Sequence, residues 1–324
     1  MRVGIDVSPL VQTRAGTARH VRGLVGAMRG RPGLDLELLS FGGPGRPSSV
    51  VRDAAWYPRG LRGRARALDL DLLHCTTFRA PARGGVPTVL TVHDLAILRS
   101  PEAFPRWHRL YGTLGLRKVL RAADAVIAVS QFTRDEVVEL VGIAPERVRF
   151  VPNGVDPVFT SEGDVAGGDY VLAVATLEPR KNLGRTVDAA RLAGVELRVV
   201  GARGWGGVEV DGWVGELPDP ELAALYRGAR CVVCTSLYEG FGLPVLEAMA
   251  CGTPVVTSRG TAMEEVAGEA AVLVDPLDAA SIASGMAEAA ARRDELVPAG
   301  IARASEFSWS HSADAVEALW KELA

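Results

Sequence analysis

Glu239 and Glu247 are separated by seven residues in YEGFGLPVLEAMACGTPVVTS (238–258), one before a glycine-rich turn and one inside the short helix that the turn opens. An ionised carboxylate only accepts hydrogen bonds, and it suits a pair of vicinal hydroxyls. Gly240 and Gly242 allow a ligand close to the main chain. Pro244 reads as the first residue of a helix over 244–250, where its missing N–H costs nothing, and a helix start at that point favours phosphate. Carboxylates repel phosphate, so amides for phosphate and acids for a diol together match a sugar nucleotide. Taken alone, the stretch also reads as two acids favoured by a helix dipole.

A second stretch shifts the balance. VATLEPRKNL (174–183) follows a predicted strand, and its Arg180 and Lys181 stand just before a helix, where they could pair with a diphosphate. VGARGWGG (200–207) is another glycine-rich turn after a strand, and VGELPDPEL (214–222) offers main-chain groups and Leu217 beside a base. In the first half, TRAGTARHV (13–21) is a flexible turn opening a helix, and VHDL (92–95) puts His93 and Asp94 at a strand end. Asp69-Leu70-Asp71 has the letters of a metal-binding Asp-x-Asp but precedes a predicted strand, so surface acids are expected. CVVC (231–234) lies in an apolar run with no second Cys/His pair nearby and reads as packing rather than as a zinc or redox pair.

The elements needed to hold these residues are those of an α/β protein. Apolar runs alternate with amphipathic stretches, the pattern of stacked βαβ units and mainly parallel sheets. Strands are predicted near 2–7, 34–41, 72–77, 88–94, 125–130 and 148–153, then near 170–176, 196–201, 231–236, 254–258 and 270–275. Helices are predicted at 16–30, 131–141, 182–193, 219–227 and 244–250, and from about Ser281 with a break near Trp309. Between the two series, 153–169 is rich in Gly, Asp and Ser and reads as a hinge. Two Rossmann-like domains with a cleft between them are expected, with ligands where strands end and helices begin.

At 324 residues the chain has room for two cores, and 48% apolar with 23% charged residues is ordinary for a globular protein. It has no apolar run of membrane-spanning length, and MRVGIDVSPL is not a secretory signal. A cytoplasmic protein is therefore expected, in keeping with four irregularly spaced cysteines. The net charge of −3 is uneven: residues 1–157 carry 23 Lys+Arg against 14 Asp+Glu, and 158–324 carry 13 against 25. The basic half, with RGLRGRAR (59–66), is either a solvated surface or a face for an anionic acceptor or lipid surface. Nucleic acid fits poorly, because no aromatics interleave with the basic residues.

The succession IDVSPL…AGTARHV, VHDL, ADAVIAVSQFTRDEV, VRFVPNGVD, LEPRKNL, LYEGFGLPVLEAMACGTPVVTS, EEVAGEAAVLVDP and FSW resembles the retaining family 4 glycosyltransferases of GT-B fold, nearest their bacterial mannosyltransferase-like branch, over almost the whole chain. The resemblance implies two Rossmann-like domains facing each other across a cleft: an acceptor-binding domain (1–157), a donor-binding domain (158–306) and a C-terminal helix crossing back (307–324). It implies transfer of a hexose from a nucleotide-diphospho-sugar to an acceptor hydroxyl with retention, with no cofactor and no metal. GDP-mannose is the favoured donor, with UDP- or ADP-sugars as alternatives. The expected acceptor is a glycan or lipid-linked glycoconjugate, with peripheral contact at the inner membrane face. By resemblance Glu239 meets the sugar hydroxyls and Glu247 the ribose. Gly240, Phe241, Gly242 and Leu243 supply amides, and Arg180 and Lys181 neutralise the diphosphate. Leu217 lies by the base, His93 reaches the donor sugar, and Gly16 lies near the phosphates. The chain departs from relatives at Ala18, where many have a second glycine, and at Ala175 and Thr176, where some have Gly-Arg. The competing expectations are a nucleotide-sugar epimerase on the same fold and a non-catalytic two-lobed sugar-binding protein.

Overall fold

The structure is a computed structural model, and it describes residues 1–12, 16–43, 46–82, 85–99, 115–205 and 207–324. The chain divides into two compact units, Met1–Gly154 with Trp309–Ala324, and Val155–Ser308.

The first unit is built on β1 (Arg2–Asp6), β2 (Asp35–Leu39), β3 (Leu72–Cys75), β4 (Thr88–Val92), β5 (Ala125–Ala128) and β6 (Val148–Phe150). These form one sheet in the order β2-β1-β3-β4-β5-β6, with every neighbouring pair parallel. The runs LLHC, TVLTV and AVIA are buried along their whole length. A parallel sheet covered on both faces requires this, and it explains why those runs do not alternate in polarity. Helix Gly16–Met28 buries Val21, Leu24, Val25 and Met28, an i, i+3, i+4, i+7 stripe. The stripe shares one core with Trp309, Ala313, Val316, Leu319 and Trp320 of the terminal helix Trp309–Leu323. Arg31 adds ion pairs to Asp314 at 2.7 Å and Glu317 at 2.8 Å.

The RGLRGRAR stretch takes a conformation not predicted from the sequence. It falls within a helical run, and the helix Leu61–Ala67 buries Leu61 and Ala65 while Arg64 and Arg66 stay exposed. Gly63 inside it, and Pro58 and Gly60 just before it, are weak helix formers, so the helix depends on burying those two side chains in the sheet's core.

The second unit carries β7 (Tyr170–Val174), β8 (Glu196–Val200), β9 (Trp213–Gly215), β10 (Val232–Cys234), β11 (Val255–Ser258) and β12 (Val272–Val274). Their order is β12-β11-β10-β7-β8-β9. The chain runs outward from β7 to β9, then returns past β7 to place β10 on its other side. This is the Rossmann order, and ligands of such sheets bind where the order reverses, here between the carboxyl ends of β7 and β10. Strand β9 was not predicted. It has only three residues, none fully buried, and joins β8 through a register shift at the sheet's edge. All four cysteines are buried thiols. Burial pushes those of Cys231, Cys234 and Cys251 up to about 12, which fits packing rather than redox chemistry.

Trp320 has no exposed surface and closes the core under the first sheet. Replacing it with alanine should cost about 3–5 kcal/mol, measured as a loss of stability in urea unfolding of the first unit.

Candidate functional site

The segment after β7 is short and tightly held. Glu178 is 2% exposed, Pro179–Lys181 make a single helical turn, and Asn182 follows in the left-handed conformation with φ 58°. The Asn182 side-chain amide donates to the carbonyls of Thr235, at 3.0 Å, and Pro276, at 2.6 Å. One buried amide therefore joins the segments that follow β7, β10 and β12. Leu237 donates its N–H to the Arg180 carbonyl at 2.8 Å, and the Thr186 and Thr235 hydroxyls bond at 2.8 Å. Asparagine suits this place because it tolerates the left-handed region and offers two donors.

Held this way, Arg180 and Lys181 meet Glu239. The Arg180 guanidinium reaches Glu239 Oε2 at 3.2 Å through Nη1 and Glu178 Oε1 at 2.7 Å through Nε. Its Nη1 also donates to the Tyr238 carbonyl at 3.2 Å. Lys181 Nζ pairs with Glu239 Oε1, which also accepts from the Ser236 hydroxyl at 3.0 Å. Burial alone would raise the Glu239 carboxyl, but Lys181 and then Arg180 outweigh it and hold the group down at about 2. From sequence, the acid and the cations had separate tasks; the structure puts them in contact. Glu178, Ser236 and Asn182 were not singled out from sequence. Asn182 could have been found from its place between a one-turn helix and a longer one.

The glycine turn behaves as a tight corner. Gly242 has φ +113°, and a Cβ there would come within 2.7 Å of Met263 Cγ. Gly240 is buried, and Phe241 is buried with its ring edge-on to Phe307 at 6.0 Å. The helix begins at Leu243, one residue earlier than predicted, and runs to Ala250. Its first-turn amides lack intrahelical acceptors by geometry. Glu247 is 2% exposed and accepts from the Tyr226 hydroxyl at 2.9 Å, so its carboxylate is oriented by a residue that the sequence reading missed. Leu217 is partly buried between β9 and the helix Asp219–Gly228. In the 200–207 turn, a Cβ on Gly201 would overlap the Ala175 carbonyl oxygen. That glycine serves the packing of two loops.

In the first unit His93 is partly buried, and its Nε2 lies 2.9 Å from the Thr76 carbonyl, so it donates there. Its ring meets His20 edge-on at 4.7 Å. His20 is buried, has its Nδ1 2.7 Å from Asn153 Oδ1, and lies edge-on to Trp309 at 5.8 Å. Burial pushes both imidazoles down, that of His20 well below its usual range with His93 adding to the effect. Both are therefore neutral near pH 7. His20 and Asn153 were missed, since a histidine inside an amphipathic helix looks like any core residue. Asp94 accepts the Ala96 N–H at 3.1 Å and caps the helix that follows. Gly16 opens helix Gly16–Met28, while 13–15 lie outside the described residues. Asp71 Oδ2 accepts the Arg2 amide at 2.6 Å, a structural use for that acid.

Each unit is a parallel, doubly wound α/β sheet, and the second carries an acid–cation cluster where its strand order reverses. The family models for glycosyltransferase family 4 and for glycosyl transferases group 1 match residues 14–159 and 168–292. O-antigen chain mannosyltransferase B of Escherichia coli is 30% identical over 95% of this chain and 85% of its own length. Among solved structures, sucrose-phosphate synthase of Thermosynechococcus elongatus superposes with a TM-score of 0.83 at 19% identity, covering 100% of this chain and 99% of its own. HepE of Anabaena in complex with UDP-glucose does so with a TM-score of 0.76 at 18% identity over the full length of both chains. The chain belongs to glycosyltransferase family 4 and has the GT-B fold.

The depressed Glu239 carboxyl gives a pH signature. Its folded value lies below its unfolded value, so the cluster's contribution to stability is complete above about pH 4.5 and is lost as pH falls toward about 2. Lys181→Met should therefore destabilise the second unit at pH 7. The gap from wild type should narrow steadily between pH 4.5 and 3, read by urea unfolding at each pH.

Proposed function

We propose that this glycosyltransferase moves a hexose from a nucleotide-diphospho-sugar to a hydroxyl of a glycan, glycolipid or other glycoconjugate, with retention at the anomeric carbon. The observation that carries the reading is the Arg180–Lys181–Glu239 cluster at the reversal between β7 and β10, directly before the helix Leu243–Ala250. Phosphates bind by the helix start and the two cations, and Glu239 turns to the sugar hydroxyls. Glu247, oriented by Tyr226, takes the ribose, with Leu217 beside the base and the 240–243 main chain against sugar and phosphate.

Negative charge grows on the diphosphate as the glycosidic bond breaks, and Arg180, Lys181 and the helix dipole are fixed charges aimed at it. No metal is required, since these groups supply the positive charge. A phosphate oxygen of the leaving group accepts the proton of the incoming hydroxyl. His93, neutral and with its Nε2–H given to the Thr76 carbonyl, accepts from a hydroxyl of the donor sugar through Nδ1, and Gly16 lies near the phosphates. The likeness to a mannosyltransferase favours GDP-mannose, and the UDP-glucose bound by HepE makes a UDP-sugar the alternative. The basic first half favours an anionic or lipid-linked acceptor and cytoplasmic work at the inner membrane face.

A panel of nucleotides and sugar nucleotides tested by thermal shift identifies the donor, because a ligand at 100 times its Kd stabilises the folded state by about 2.7 kcal/mol. Glu247→Ala should weaken nucleotide binding about tenfold, the order of one lost charged hydrogen bond. Lys181→Ala should lower turnover at saturating donor by about a hundredfold, the order of one lost transition-state contact. Unchanged kinetics in both variants would overturn the site.

A further inference from the structure

In the second unit, the groups proposed to receive phosphate are already neutralised. Arg180 and Lys181 bring two positive charges, and Glu178 and Glu239 bring two negative ones. The two acids are not equivalent. Glu178 is sealed in, with its side chain 2% exposed, and it grips Arg180 Nε at 2.7 Å. Glu239 and Lys181 each keep 15% of their side chains exposed, so their contact is the one that a ligand can part. A diphosphate carries only acceptors, and so does an ionised carboxylate. A nucleoside diphosphate approaching Lys181 competes with Glu239 for both cations, and its phosphates can donate nothing to Glu239 in return, since its ribose hydroxyls are taken by Glu247. A diphospho-sugar brings hydroxyls that can donate to Glu239 while the cations pass to phosphate.

We propose that Glu239 is a specificity-determining residue that yields Arg180 and Lys181 to a diphosphate only when a sugar arrives with it, so that the site favours the sugar nucleotide over the bare nucleoside diphosphate. This deepens the proposed function and rests on it. The same competition helps to expel the by-product: once the sugar has left, Glu239 loses its hydroxyl donors and reclaims the cations, weakening the hold on the diphosphate. The low Glu239 carboxyl value agrees with a group that stays ionised and competes at every physiological pH.

The test is isothermal titration of wild type and Glu239→Gln with GDP and UDP, and with GDP-mannose and UDP-glucose. Glutamine keeps the shape but removes the charge, leaving the cluster one positive charge in excess. The variant should bind whichever nucleoside diphosphate the wild type takes about tenfold more tightly, ~1.4 kcal/mol. Its affinity for the matching sugar nucleotide should rise much less, and transfer should be slowed. Glu239→Asp keeps the charge and should retain the wild-type ratio of the two affinities. Ser236→Ala, which removes the third bond to the Glu239 carboxylate, should shift that ratio the same way by a smaller factor, and it serves as the test if Glu239→Gln does not fold. Nucleoside diphosphate affinity that is unchanged or weaker in Glu239→Gln, with the wild type binding normally, overturns this inference alone. Binding of neither ligand class by the wild type overturns the proposed function and this inference with it.

Discussion

Two strands that are far apart in sequence must lie side by side for the cations after β7 to meet the acid after β10. The excursion through β8 and β9 and the return across β7 bring this about, and everything proposed for the second unit depends on that reversal. The loops at the two strand ends are not left to find each other. The buried Asn182 amide, the Leu237 N–H and the Thr186–Thr235 hydroxyl pair bind them together. Buried donors and acceptors that are all satisfied in one arrangement are costly to rearrange, so the register of Arg180 and Lys181 against Glu239 is set by backbone geometry before any ligand arrives.

Partly burying four charged groups is expensive unless each finds partners. Here each does: Glu178 and Glu239 divide Arg180 between them, and Lys181 and Ser236 share one oxygen of Glu239. The arrangement is stable enough to wait for a ligand, and the partial exposure of Lys181 and Glu239 keeps it open to competition. The adjoining corner at Gly242 is locked by Met263, which leaves no room for a side chain to move the start of the helix.

Around His93 the first unit uses desolvation rather than charge pairing. His93, His20 and Asn153 form a neutral polar chain tied at one end to the Thr76 carbonyl and backed by Trp309. Neutral imidazoles can be buried together, whereas two imidazolium ions at this spacing would repel in a medium of low dielectric. Trp309 links this chain to the terminal helix, whose Trp320 closes the same core. A helix at the far end of the sequence thereby supports the surroundings of His93.

Much of this was written in the sequence itself. Among the described residues, eleven of the twelve strands follow from apolar runs bounded by turn residues, and helix Gly16–Met28 from its periodicity, because burial on a parallel sheet demands those patterns locally. The positions of Arg180, Lys181 and Glu239 at strand ends, and of Glu247 in the helix that follows, were legible for the same reason. Strand β9 was not, since three half-exposed residues carry no period, and neither was the helix Leu61–Ala67, which tertiary burial imposes on weak helix formers. Sequence could not show that Glu239 faces Lys181, that Tyr226 holds Glu247, or that His20 leans on His93. Those contacts join residues on different elements, from 21 positions apart for Tyr226 and Glu247 to 58 for Lys181 and Glu239 and more for His20 and His93. They exist only because strand order and buried side-chain ties bring the separate loops together, and no local pattern records which loops those will be.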